Sequence, residues 1–224
     1  MFHIKICGVQ RIADIEAVFE SGADAVGLNF YPPSCRYIEP EHALTHRLAS
    51  KAGELGLTRI GVFVNSPVEV MLRAAERLEL EALQLHGDEQ SGIVSSLKDK
   101  GITKLIRAIK LPVGPLTIQA IEDRVNPWGS LGAHLLLDAD GGKSHGGTGK
   151  TLDWDTIRQW SDQHRDVSWT LAGGLNPGNV AAAITKSDAG SVDTASGVEA
   201  DRGTKSATLI SQFSENALAA LRLS

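Results

Sequence analysis

The clearest candidate for chemistry in this chain is the carboxyl group of Asp138, which directly follows the apolar run Leu135 to Leu137. An apolar run that ends abruptly in acidic residues is typical of a buried strand that delivers an acid to the rim of a sheet. Glycines are then frequent between residues 141 and 149, which predicts a mobile loop beside that acid. The pattern therefore predicts the edge of an active site.

Two further glycine-bearing segments could bind an anion. Gly173 and Gly174 follow an apolar run and precede a predicted helix, so a ligand could approach bare backbone and unpaired helix amides there. Ser196 and Gly197 follow the next apolar run and offer a hydroxyl group and more backbone amides. Each pair alone is equally consistent with a tight turn. Because the two pairs follow consecutive strands, together they favour a phosphate site.

The elements that must position these residues alternate along the chain as short apolar runs and segments of helical periodicity. Helical spacing is found, for example, at Ile12, Ile15 and Val18. Eight strands are predicted, at residues 4–7, 25–30, 60–64, 82–85, 104–109, 134–138, 169–171 and 191–194. Eight such units indicate an α/β fold, a single-domain (β/α)8 TIM barrel spanning residues 1–224. An open doubly wound sheet remains an alternative, because the sequence does not reveal strand order.

Length and composition narrow the functional classes. With 224 residues and 42% hydrophobic content, the chain can bury one large core, and no linker suggests a second domain. It has no apolar run of about 18 residues and no signal-peptide pattern. Its net charge of -5 disfavours nucleic acid or an anionic membrane as a partner. Cys7 and Cys35 are expected as free thiols without zinc, which predicts a cytoplasmic protein.

Six motifs, each at the carboxyl end of a predicted strand, occur in the order found in one enzyme family. They span nearly the whole chain, and together they resemble the phosphoribosylanthranilate isomerases of tryptophan biosynthesis. The motifs are Lys5-Ile6-Cys7-Gly8, Phe30-Tyr31-Pro32 with Ser34-Cys35-Arg36-Tyr37-Ile38, Gln84-Leu85-His86-Gly87-Asp88-Glu89, Gly146-Gly147-Thr148-Gly149-Lys150-Thr151 with Asp153-Trp154, Ala172-Gly173-Gly174-Leu175, and Val192-Asp193 with Ser196-Gly197-Val198-Glu199. The resemblance implies an Amadori rearrangement, in which the aminoaldose N-(5-phosphoribosyl)anthranilate becomes the aminoketose 1-(2-carboxyphenylamino)-1-deoxyribulose 5-phosphate.

The resemblance also implies which residues carry out this reaction. It makes Asp138 the general acid that assists opening of the furanose ring, and Cys7 the general base that removes the C2 proton of the resulting Schiff base. It favours Asp138 over Asp140, because the family places the acid directly after the apolar run. A thiol titrates near pH ~8.5 in model compounds. We therefore expect positive or dipolar surroundings to lower the pKa of the Cys7 thiol.

The same resemblance assigns the contacts with substrate. Arg36 would hold the anthranilate carboxylate, a planar partner suited to a guanidinium fork. His86 would line the site without an assigned proton transfer, and Asp193 would accept a hydrogen bond from a sugar hydroxyl. Ala195 replaces a serine that is common in the family and removes one possible hydroxyl donor to phosphate. The predicted phosphate ligands are Gly147, Gly149, Gly173, Gly174, Ser196 and Gly197.

No metal and no organic cofactor are expected, because one acid and one base suffice for the proton transfers and no metal-ligand cluster is visible. The expected partner is a phosphorylated small molecule, bound by a monomer or a homodimer. The glycine-rich loop with Lys143 and Lys150 is predicted to act as a lid that closes over the bound sugar.

Three alternative functions remain open. Indoleglycerol-phosphate synthase is a related phosphate-binding barrel that should bring a catalytic lysine and an N-terminal extension. The aminoaldose isomerase of histidine biosynthesis should bring an aspartate in place of Cys7. The sequence shows neither pattern, which disfavours both of these enzymes. A non-catalytic sensor of a phosphorylated ligand is the third alternative, and the presence of both Cys7 and Asp138 disfavours it.

Overall fold

The protein forms a closed barrel of eight parallel strands. The computed structural model describes residues 1–140 and 151–221, except for the side chain of Asp140. The strands are β1 (Ile4–Cys7), β2 (Ala25–Asn29), β3 (Thr58–Phe63), β4 (Ala82–Leu85), β5 (Leu105–Pro112), β6 (His134–Asp140), β7 (Trp169–Leu171) and β8 (Val192–Thr194). Each strand pairs with the next along the chain, and β8 pairs with β1, which closes the sheet. The predicted (β/α)8 barrel is therefore confirmed, and the open doubly wound sheet is wrong.

Helices connect the strands and cover the outside of the barrel. They are α1 (Ile12–Glu20), α2 (Ala43–Glu54), α3 (Val68–Leu78), α4 (Gly92–Lys98), α5 (Ile118–Gly129), α6 (Trp154–Gln163), α7 (Val180–Ser187) and α8 (Ala207–Leu221). The side chain of Thr117 caps α5 by accepting a hydrogen bond from the backbone of Ala120 at 3.1 Å. Because all eight strands run parallel, their carboxyl ends meet at one rim.

Apolar side chains of the strands fill two separate layers. Leu105 and Leu135 point outward to the helices, whereas their neighbours Ile106 and Leu136 belong to a smaller group inside the barrel. Successive side chains of a strand alternate between the two faces of the sheet, which produces this division. The rest of the inner group is Phe2, Ala25, Ile60, Ala82, Ala108 and Ala172. The many alanines leave space in the lumen for polar side chains.

Two neighbouring strands are longer than predicted. β5 runs on to Pro112 and β6 to Asp140, and Leu111 of the extension is fully buried opposite Ala139. Burial of this leucine and the added strand pairing explain the extension. Asp138 therefore lies within β6, two residues before its end, and not at the end of the strand.

A short 3-10 helix (Ser196–Val198) and a hairpin follow β8, and neither was predicted. The hairpin consists of β9 (Glu199–Asp201) and β10 (Thr204–Lys205), which pair antiparallel. Its turn contains Gly203, whose φ of +85° lies in the left-handed region that favours glycine. Strands this short and this polar lack the alternation of apolar residues that marks a strand in a sequence.

Residues 141–150 lie outside the described part of the chain. The predicted phosphate ligands Gly147 and Gly149 belong to this segment, as does the predicted lid with Lys143 and Lys150, so both remain predictions. Within the described ranges, no helix is both long enough and apolar enough to cross a membrane.

Candidate active site

The predicted site residues of the described chain lie around the rim formed by the carboxyl ends of the strands. They are Cys7 in β1, Arg36 after β2, His86 after β4, Asp138 in β6 and Asp193 in β8. The structure brings His86 to Asp138, with 3.3 Å between Nε2 and Oδ2. Arg36 and Asp193 each pair instead with a charged residue that was not predicted as part of the site.

The thiol of Cys7 occupies a space that a glycine leaves open. Cys7 lies opposite Gly27 of the neighbouring strand β2. A Cβ atom on Gly27 would lie 2.7 Å from Sγ of Cys7 and 3.0 Å from its Cα, closer than such atoms approach. Gly8 acts in a similar way at φ +78°, because a Cβ atom there would lie 2.4 Å from Cδ of Arg36. These two glycines therefore set the positions of the thiol and of the arginine.

Lys5 and Asp193 form a buried ion pair inside the barrel. Nζ of Lys5 lies 2.9 Å from Oδ1 of Asp193, and the lysine is fully buried. Burial by itself lowers the pKa of Lys5, but attraction to Asp193 and to Cys7 outweighs burial and raises the pKa overall. The lysine therefore remains a fixed positive charge beside the thiol.

Burial raises the pKa of the Cys7 thiol above its ordinary value, because a buried thiolate loses its hydration. Among the charged neighbours, Lys5 favours the thiolate and Asp193 disfavours it, while Lys205 and Arg36 favour it more weakly. The three positive groups do not outweigh burial. Our expectation that the surroundings lower the pKa of Cys7 is therefore wrong.

Arg36 is held by the carboxylate of Glu199 at the start of the hairpin. Nε and Nη2 of Arg36 donate to Oε1 and Oε2 of Glu199 at 2.5 and 2.8 Å. Buried Lys205 and the backbone of Gly203 also donate to this carboxylate, each at 3.0 Å. Burial alone would raise the pKa of Glu199, but the bond from Arg36 and the attraction to Lys205 lower it to about 2. The hairpin thus orients the guanidinium group through two of its three nitrogens.

A chain of polar contacts crosses the lumen and ends at Asp138. Nζ of Lys5 donates to Oε1 of Gln84 at 2.7 Å, and Nε2 of Gln84 lies 2.8 Å from Nδ1 of His86. Gln84 is fully buried in β4. The side chains of His86 and Asp138, in contrast, are 28% and 25% exposed at the mouth of the barrel. Polar contacts therefore connect Lys5, which lies beside the thiol of Cys7, with the carboxyl group of Asp138.

A second network holds the loop that carries His86. The backbone nitrogen of Gly87 donates to Oε2 of Glu89 at 3.0 Å, and Nη2 of Arg107 donates to the carbonyl of Gly87 at 3.0 Å. Arg107 also forms an ion pair with Glu89 at 2.5 Å. The backbone next to His86 is therefore fixed independently of the histidine ring.

The two glycine-bearing segments after β7 and β8 lie against each other. Thr194 donates to the carbonyl of Leu175 at 2.7 Å, and a Cβ atom on Gly197 would lie 1.8 Å from that same oxygen. The predicted phosphate ligands in these segments are Gly173, Gly174, Ser196 and Gly197. Gly173 and Gly174 have φ values of +81° and +69°. The adjacency of the segments is established, whereas their role in phosphate binding remains a prediction.

The sequence analysis assigned no role to several residues that shape the site, although some of them stand in the quoted motifs: among them are Lys5, Gly27, Gln84, Glu199 and Lys205. Lys5 and Gln84 occupy inward positions of otherwise apolar strands, and this isolated polarity could have identified them as residues of the lumen. Glu199 and Lys205 carry no such signal, because the two short strands of the hairpin have no recognisable apolar pattern.

The fold and the site together define a (β/α)8-barrel enzyme with a thiol and a carboxyl group at one rim, a pair suited to general acid and base catalysis. The family model described as N-(5'phosphoribosyl)anthranilate (PRA) isomerase matches residues 4–216. The chain belongs to this family of isomerases.

Individual relatives match over almost the whole chain. N-(5'-phosphoribosyl)anthranilate isomerase of Thermotoga petrophila is 38% identical over 217 residues, covering 97% of this chain and 98% of that protein. The crystal structure of phosphoribosyl anthranilate isomerase from Thermotoga maritima has a TM-score of 0.84 at 35% identity, covering 98% of this chain and 100% of that one. A phosphoribosyl anthranilate isomerase in complex with reduced 1-(o-carboxyphenylamino)-1-deoxyribulose 5-phosphate has a TM-score of 0.80 at 34% identity, with the same coverage.

Proposed function

We propose that this barrel converts N-(5-phosphoribosyl)anthranilate into 1-(2-carboxyphenylamino)-1-deoxyribulose 5-phosphate in tryptophan biosynthesis, with Asp138 as general acid and Cys7 as general base. One observation carries the assignment. The thiol of Cys7 ends β1 and the carboxyl group of Asp138 lies two residues before the end of β6, three strands apart around one closed barrel. The rearrangement needs one proton donor and one proton acceptor on different sides of the sugar, and these two groups supply them.

The relative crystallised with reduced 1-(o-carboxyphenylamino)-1-deoxyribulose 5-phosphate binds a molecule with a carboxylate, a sugar chain and a phosphate. For this chain we assign the carboxylate to the free N–H groups of Nη1 and Nη2 of Arg36, because Nε and the other hydrogen of Nη2 already donate to Glu199. Asp193 accepts from a sugar hydroxyl through Oδ2, since Oδ1 faces Lys5. The phosphate ligands are Gly173, Gly174, Ser196 and Gly197, together with Gly147 and Gly149.

The first step opens the ring. Asp138 donates a proton to the ring oxygen, the bond between C1 and this oxygen breaks, and the electron pair of the anthranilate nitrogen forms a Schiff base. His86 lies 3.3 Å from one carboxyl oxygen of Asp138, which leaves the other oxygen for the substrate.

The second step moves the proton from C2. The thiolate of Cys7 removes this proton, and the electrons of the C–H bond form the C1–C2 double bond while the protonated Schiff base becomes a neutral amine. The resulting enol gives the ketone by tautomerisation. Because burial raises the pKa of the thiol, the thiolate depends on the buried positive charge of Lys5.

We also propose that residues 1–224 form one catalytic domain. The single closed sheet and its continuous outer core support one domain. The free thiols of Cys7 and Cys35 are in keeping with work in the cytoplasm. We further propose that the protein works as a monomer or a homodimer. It uses no metal and no organic cofactor.

A coupled assay with freshly prepared phosphoribosylanthranilate tests the function. We expect turnover that persists after exhaustive chelation, because the two side chains account for both proton transfers. The aminoaldose of histidine biosynthesis is the matched control substrate, since it has no anthranilate group for Arg36 to bind. Turnover of this control alone would contradict the proposed substrate. Loss of activity on chelation, with recovery on addition of a divalent ion, would contradict the cofactor-free mechanism.

A further inference from the structure

The orientation of the Gln84 amide group is fixed by Lys5. A lysine ammonium group donates hydrogens and accepts none, so the atom 2.7 Å from Nζ must be the amide oxygen. Reversing the amide would bring its NH2 group against the ammonium group. Both side chains are fully buried, where two facing donors would each lose a partner without access to water. The amide nitrogen of Gln84 therefore points away from Lys5 and towards His86.

The position of this nitrogen decides where His86 carries its hydrogen. Nε2 of Gln84 lies 2.8 Å from Nδ1 of His86. An amide nitrogen only donates, so Nδ1 must be the acceptor and carries no hydrogen. In a neutral imidazole the hydrogen is then on Nε2, the nitrogen that lies 3.3 Å from Oδ2 of Asp138.

We infer that Gln84 is a positioning residue, which holds His86 in the tautomer with its hydrogen on Nε2 and facing Asp138. A hydrogen at this place is incompatible with a second one on Oδ2 of Asp138, so the acidic proton is directed to Oδ1. The catalytic effect rests on the proposed role of Asp138. The tautomer itself depends only on Lys5, Gln84 and His86.

This role differs from that of a residue needed only for folding. The loop after β4 is anchored by Glu89 and Arg107, neither of which bonds to Gln84. Removing the amide group of Gln84 should therefore leave the loop in place and free only the histidine ring. Its tautomer can be measured separately from the stability of the protein.

Nitrogen-15 spectra of protein labelled at histidine report the tautomer directly. We expect Nε2 of His86 to resonate as a ring nitrogen with a hydrogen and Nδ1 as one without, with signals assigned by their loss in His86→Asn. A hydrogen on Nδ1 of His86 in the unsubstituted protein would overturn the inference, whatever the role of Asp138.

Substitution Gln84→Met keeps the volume of the side chain and removes its amide group. We expect both tautomers of His86 in the spectrum. We also expect a roughly 10-fold to 10²-fold lower kcat with little change in KM, because the acidic proton of Asp138 is no longer directed to Oδ1. Thr170→Val is the matched control, since it removes a buried polar group that contacts His134 and not His86. The control should keep both the kcat and the His86 signals of the unsubstituted protein. An unchanged kcat in Gln84→Met would overturn the inference.

A double variant separates the routes by which Gln84 could act. If it acts through the histidine, Gln84→Met should lower kcat little further in a His86→Asn background. A full additional loss would show that Gln84 acts through Lys5 or Cys7 and would overturn the inference. Failure of the proposed function has a different signature. Normal turnover of Asp138→Asn would contradict the assignment of Asp138 as the general acid, while the tautomer of His86 would remain as inferred.

Discussion

The two sides of the barrel mouth surround their reactive groups in different ways. Cys7 is buried among charged groups of β1, β8 and the hairpin, and burial raises the pKa of its thiol. Asp138 is 25% exposed, and the ring of His86 lies 3.3 Å from it. A thiol hidden from water needs nearby positive charge before it can act as a base. A carboxyl group near solvent needs mainly to be oriented.

Removal of either reactive group should have the largest effect. We expect Cys7→Ser and Asp138→Asn each to lower kcat by at least ~10²-fold, the usual scale for a positioned acid or base. Binding of a product analogue, measured by calorimetry, should remain nearly unchanged in both variants. Near-normal turnover of Cys7→Ser would contradict its assignment as the base and would leave the charges around it without a catalytic purpose.

Loss of Arg36 should act on binding more than on chemistry. We expect Arg36→Ala to raise KM roughly 10-fold to 10²-fold, the range of a lost hydrogen bond to a charged group, with a smaller change in kcat. Arg36→Lys is the control, because it keeps the charge and loses the planar fork that contacts Glu199. Steady-state kinetics would count against the assignment if KM stayed the same in Arg36→Ala, since Arg36 would then serve only to neutralise Glu199.

The raised pKa of the thiol predicts the pH dependence of the reaction. A base must be deprotonated to act, so a raised pKa moves the rising limb of kcat/KM to higher pH. We expect kcat/KM to keep rising above pH ~8.5, where an ordinary thiol titrates. Asp193→Asn should move the limb to lower pH and Lys5→Met to higher pH, because these residues disfavour and favour the thiolate respectively. A limb that is complete in the acidic range would contradict Cys7 as the base.

Much of the fold can be predicted from the sequence, because parallel strands that are buried on both faces appear in it as short apolar runs. The ranges of β1, β4 and β7 agree with the prediction in full. The strand pairing that lengthened β5 and β6 could not be foreseen, since it depends on the burial of Leu111 against a neighbouring strand.

The site was predictable in its reactive groups and not in their electrostatics. Cys7 and Asp138 stand in local motifs, which a sequence displays directly. The direction of the thiol pKa depends on a balance between burial and charges from distant segments, among them Asp193 and Lys205. Such a balance has no local signature in a sequence.

The amino-terminal end of the lumen contains the buried histidine His134, which contrasts with the partly exposed His86. The ring nitrogens Nδ1 and Nε2 of His134 lie 2.6 and 2.7 Å from the hydroxyl oxygens of Ser168 and Thr170. Burial lowers the pKa of His134 from 6.5 to about 4, with smaller repulsion from the amino terminus and from Lys5. This histidine is therefore neutral in the folded protein at neutral pH.

The smallest effect on catalysis is expected for His134→Gln, which should leave activity at neutral pH unchanged. Its effect should appear instead in how the free energy of unfolding falls in acid. The unfolded chain takes up the proton more readily, so stability present above pH 6.5 is lost as pH falls towards 4. At about 1.4 kcal/mol per pH unit, this histidine should account for about 2 kcal/mol of the loss between pH 7 and pH 5. Urea unfolding at both pH values should show a smaller loss in His134→Gln. Equal losses in the two proteins would contradict the lowered pKa.

The bond between Arg36 and Glu199 joins residues that are 163 positions apart in the chain. Synthesis proceeds from the amino terminus, so this contact cannot form before Glu199 has been added to the chain. A growing chain that has not yet reached β8 already contains Cys7 and Asp138. It still lacks Asp193 and Lys205, two of the charged groups around the thiol, and Glu199, which holds Arg36. The order of synthesis therefore delays the first turnover until the final strand and its hairpin have closed the barrel.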